Sequence, residues 1–71
     1  MNAKFLLNHV DSATFKKLCK EWIVSVRKNE QYRERRDVEM AIIEFAPTLN
    51  LEIDEVMQSL LEFANSNESM E

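Results

Sequence analysis

The side chains able to do chemistry are few: His9, Cys19 and the carboxylates Glu52, Asp54, Glu55 and Glu62. His9 is the only histidine, and no H-x-x-x-H or C-x-x-C pair exists. A zinc site needs more ligands at such spacings. His9 therefore reads as a surface or boundary residue. Cys19 falls on an apolar stripe with Phe15 and Trp22, where a thiol behaves as a small hydrophobe. Its neighbours Lys16 and Lys20 would lower its pKa only if the thiol were exposed. The four carboxylates resemble catalytic pairs in number only. General acid–base work needs such groups in a cleft with pKa values pushed apart, and a solvated helix face supplies neither. With no glycine in the chain, phosphate-cradling loops, dinucleotide-binding turns and EF-hand loops are excluded. The expectation is a non-catalytic protein with no metal, no cofactor and no small-molecule substrate.

Positioning must come from helices. Residues 12–28 carry Phe15, Leu18, Cys19, Trp22, Ile23 and Val26 at the i, i+3, i+4, i+7 spacing. Asp11 or Ser12 is the expected cap at the start. Lys16, Lys17, Lys20, Arg27 and Lys28 project together from the opposite face, with Val24 among them. A second helix is expected over about 31–46. Ala41, Ile42, Phe45 and Ala46 lie on one side, while Met40 and Ile43 point elsewhere. The run EQYRERR begins this helix or bridges to it, with Asp37 as an alternative cap. Pro47 ends it, because the residue before a proline is pushed from helical angles. A third helix is expected over 52–64, capped by Asn50 or Thr48. Ile53, Val56, Met57, Leu60, Leu61 and Ala64 form its apolar stripe, and Glu52, Asp54, Glu55, Gln58 and Glu62 its other face. A short helix over 2–9 is also expected, with Phe5, Leu6 and His9 or Val10 on one side.

No segment alternates long enough to make a strand. The fold class is all-α, a small antiparallel bundle of three main helices. Residues 1–64 form one helical domain and 65–71 a mobile acidic tail. Trp22 and Met57 are placed in the core. Without glycine, the recurring Asn8, Asn29 and Asn50 are the candidate boundaries, since asparagine best tolerates a left-handed cap. No glycine or proline separates 12 from 45, so one continuous helix across 29–37 is the alternative.

The chain has 71 residues, too few for a thick core, and 45% of them are hydrophobic. Its net charge of −4 hides a split. Residues 1–36 hold all nine Lys and Arg with four acids, a net +5, whereas residues 37–71 hold nine acids and no base. Such asymmetry bears on partners. The basic side, Lys16, Lys17, Lys20, Arg27, Lys28, Arg33, Arg35 and Arg36, is the candidate polyanion face. Helix two, the PTLN turn and helix three have helix-turn-helix spacing, but the reading helix would begin LEIDEV, which phosphates repel.

The favoured reading is a regulatory or adaptor protein acting on a protein partner, on itself as a homodimer, or on both. Its candidate interface is Val24, Met40, Ile43, Glu52, Asp54, Glu55 and Glu62, with helix two central to the contact. The acidic third helix would also suit a basic groove on a partner. Nucleic-acid binding is the alternative. No apolar run is long enough for a membrane span or a signal peptide. A lone thiol fits a reducing compartment, so the expected location is cytoplasmic.

Overall fold

The computed structural model describes residues 12–69. The expected helix at 2–9, together with Asn8, His9 and Asp11, lies outside them. The described chain holds three α-helices: α1 (Ala13–Arg27), α2 (Tyr32–Phe45) and α3 (Ile53–Ala64). A 3-10 turn (Ala46–Leu49) follows α2, and no strand occurs among the described residues. The architecture is the small all-α bundle expected from the periodicity.

Ser12 starts α1 in extended backbone, and its Oγ accepts the Phe15 amide at 3.2 Å. This satisfies one of the donors that every helix start leaves open. The helix stops at Asn29, which takes a left-handed φ of 59°. There the Asn29 amide donates to the Val26 carbonyl at 2.9 Å and the Glu30 amide to Ser25 at 3.1 Å. This is the two-bond closure that usually requires glycine. Asn50 repeats it, again at φ 59°. Its amide donates to Pro47 and that of Leu51 to Ala46, both at 3.1 Å. The stop at Asn29 removes the continuous-helix alternative.

Three local expectations need correction. The EQYRERR run does not bridge: α2 begins within it at Tyr32, so Asp37 is interior and caps nothing. Ala46, directly before Pro47, keeps helical angles (φ −55°, ψ −43°). Proline still ends the α-helix, because it has no amide to donate one turn back, and the chain tightens into the 3-10 turn. Neither Asn50 nor Thr48 caps α3. Glu52 occupies that position without a side-chain bond, while Thr48 Oγ1 donates to the Phe45 carbonyl at 2.6 Å.

The central element is α1, which packs against both α2 and α3. It buries Phe15, Cys19, Trp22 and Ile23 against Ile42 and Ala46 on one side and Val56, Leu60, Phe63 and Ala64 on the other. Phe15 and Phe45 meet with ring centroids 5.8 Å apart, tilted by 40°. Each large buried side chain contributes about 1.5–3 kcal/mol of transfer free energy. Trp22 lies in the core as expected, and Met57 packs partly buried at its edge.

Candidate interaction surfaces

One face of α1 enters the core, and among the described residues neither α2 nor α3 packs on the other. Ala13, Lys17, Lys20 and Val24 recur at i, i+4, i+7 and i+11, one stripe opposite the buried one. With Lys16, Glu21, Ser25 and Glu30 they line an open groove of about 580 Å³. Val24 is half-buried in it. Ser25 is buried, and its hydroxyl has no hydrogen-bond partner. Of the residues expected on the polyanion face and the protein interface, the fold thus brings Lys16, Lys17, Lys20 and Val24 to one place.

Two other members of the expected polyanion face are committed to the fold. Arg27 reaches across to the end of α3. Its guanidinium donates to the carbonyls of Phe63 and Glu68 at 2.8 Å and of Ala64 and Ser66 at 3.3 Å. It also lies 5.1 Å from the centre of the Phe63 ring. A cation is favoured there because a helix C-terminus leaves carbonyls unpaired and carries partial negative charge. The contact also ties Ser66 and Glu68 to the bundle, within the segment expected to be mobile.

Arg35 lies with its guanidinium 5.6 Å from the centres of both the Trp22 and Tyr32 rings. It donates to the Glu30 carbonyl at 3.1 Å. Glu39 completes this cluster. Its carboxylate accepts from Trp22 Nε1 at 3.1 Å and from the Tyr32 hydroxyl at 2.8 Å. The hydrogen bond to Glu39, and then its charge, hold the Tyr32 phenol above its ordinary pKa. Lys28, Arg33 and Arg36 remain exposed. Arg33 pairs with Glu34 at 3.8 Å, a surface contact of little consequence.

The acidic side is α3. Glu52, Asp54, Glu55, Gln58 and Glu62 are all exposed, and no cation stands on the helix. Leu61 was expected on the core stripe but is 49% exposed. The physical reason is width. Leu60 and Leu61 lie ~100° apart on a helix, and the core takes Val56, Leu60 and Phe63, leaving Leu61 beyond the edge. Asp54, Gln58 and Leu61 therefore form an outward stripe flanked by Glu55 and Glu62. Gln58 donates to Glu62 at 3.4 Å. On α2, Met40 is 49% exposed and Ile43 half-buried.

Burial pushes the Cys19 thiol up to about 12, and the side chain has no exposed surface. The flanking Lys16 and Lys20 line the groove. Among the described residues, no three His, Cys, Asp or Glu side chains stand together as metal ligands would. No described helix is long and apolar enough to cross a membrane.

The residues that sequence reasoning missed are Arg27 and Arg35 in their structural roles, Ser25 as a buried serine and Leu61 as a surface leucine. Only Leu61 left a signal, an apolar stripe too wide for one neighbour. Comparison of the chain with protein-family models, with curated proteins and with solved structures finds no match in any of the three.

Proposed function

We propose that this chain is a small non-catalytic regulatory or adaptor protein that works through protein–protein contact, as a homodimer. The observation that supports this reading is apolar surface left outside the core, set among charges of opposite sign on different helices. Val24 lies in a groove with three lysines, and Leu61 is exposed on α3, the helix that carries acids and no cation. Met40, on α2, is exposed like Leu61. Helices apolar on a second face call for a second neighbour. Small domains often gain it by association.

The nucleic-acid reading is supported by the gathering of Lys16, Lys17 and Lys20. It is weakened by the engagement of Arg27 and Arg35 within the fold. The acids of α3 also oppose helix-turn-helix docking. Sedimentation velocity from micromolar to millimolar protein at low salt tests the proposal. A concentration-dependent shift to dimer is expected. A monomer throughout refutes the homodimer. Tight, steeply salt-dependent binding to DNA or RNA by that monomer moves the assignment to the alternative.

A further inference from the structure

We infer that the lysine-lined groove of α1 is the docking site for α3 of a second copy of this chain, and that two such contacts, made reciprocally, close the dimer. The inference rests on the homodimer reading and names its surfaces. Charge complementarity carries it. The groove presents Lys16, Lys17 and Lys20 beside the apolar Ala13 and Val24. Outward α3 presents the opposite charge, with Asp54, Glu55 and Glu62 exposed on the same helix as Leu61 and no cation on it. Lysine stems extend the apolar surface while their ammonium groups reach the carboxylates. Glu21 and Glu30 lie at the C-terminal part of the groove, so the acidic helix seats toward its lysine end.

The contact must be between copies. Within one chain α3 turns Val56, Leu60 and Phe63 to the shared core, and α1 turns Phe15, Cys19 and Trp22 to it. The groove and the acidic face therefore point away from each other. An amphipathic helix laid in a groove is a recurrent recognition mode. Two identical contacts related by a two-fold axis close the assembly and prevent open chains. A standard interface covers ~800 Å² per partner, about a sixth of the 4875 Å² surface of this chain.

Charge reversal tests the pairing. One variant carries K16E, K17E and K20E; the other carries E55K, Q58K and E62K, which leaves Asp54 as the single acid on the docking face of α3. Each alone is expected to dimerise at least tenfold more weakly than the parent in sedimentation equilibrium. Mixed one to one, they should form a heterodimer, because both reciprocal contacts regain opposite charges. All six changes in one chain should restore the homodimer. Circular dichroism establishes that each variant is folded. Leu61→Ala, at an exposed site, should weaken the parent dimer at least tenfold without lowering the melting temperature measured at a dilution where both proteins are monomeric. A folded variant that dimerises as the parent does, or a mixture of folded variants that stays monomeric, overturns the pairing and leaves the homodimer reading standing. A parent chain that is monomeric at millimolar concentration overturns both.

Discussion

Arg27 and Lys20 stand seven residues apart on α1, carry the same charge and have different roles. The guanidinium of Arg27 donates to four carbonyls around the end of α3. Lys20 makes no such contact and stays exposed on the groove beside Lys16 and Lys17. The planar fork of arginine suits several acceptors at once, whereas the lysine ammonium is a strongly hydrated point charge. Nine basic residues in a sequence are therefore not nine available charges. Some close helices, and what remains defines the surface on which a partner acts.

The division of roles is most exposed to test at Arg27. Arg27→Ala should destabilise the bundle by about 2 kcal/mol, since charge-assisted hydrogen bonds at a helix end are lost together. For a domain of this size that lowers the melting temperature by ~10 °C. Thermal denaturation followed by circular dichroism checks it, and a variant that melts like the parent removes the structural role of the arginine.

Cys19 probes the same helix from its buried side. Its folded pKa is raised from 9.0 to about 12 by burial. The unfolded chain therefore releases the thiol proton first as pH rises. The stabilising contribution is intact below pH ~9 and falls by about 1.4 kcal/mol per pH unit from there towards the folded value. Alkaline melts of the parent and of Cys19→Ala should differ in slope over that window. Parallel slopes would mean that the thiol ionises as easily in the fold as out of it.

The mildest change is expected at the lysines. K16Q, K17Q and K20Q together should change stability by less than ~0.5 kcal/mol, as surface substitutions do. A large loss on urea denaturation would mean that these side chains, like Arg27, hold the fold.

Much of the bundle was legible. Ser12 as a cap, the three helices to within a residue or two, and the buried positions Phe15, Cys19, Trp22, Val56 and Leu60 follow from spacing alone. Asn29 and Asn50 were legible because, without glycine, few residues accept a left-handed angle. The candidate surface was legible only in part. Lys16, Lys17, Lys20 and Val24 share a helical face whatever the helix packs against. The grip of Arg27 on Phe63, 36 residues away, and the stacking of Arg35 over Trp22 were not legible. Both depend on where separate helices lie.

Local structure is thus written in the chain: which segments are helical, where two of them stop, and which stripe of each is apolar. These are short-range properties of the backbone and of a 3.6-residue period. Other features arise from assembly of the helices. They include which cations are used internally, the place of Leu61 outside the core, and the opposite directions in which the lysine groove and the acidic helix face. All of them depend on the packing of α1 against two neighbours at once. Helical periodicity assigns each residue to a face, but the neighbour that covers that face is chosen by long-range packing.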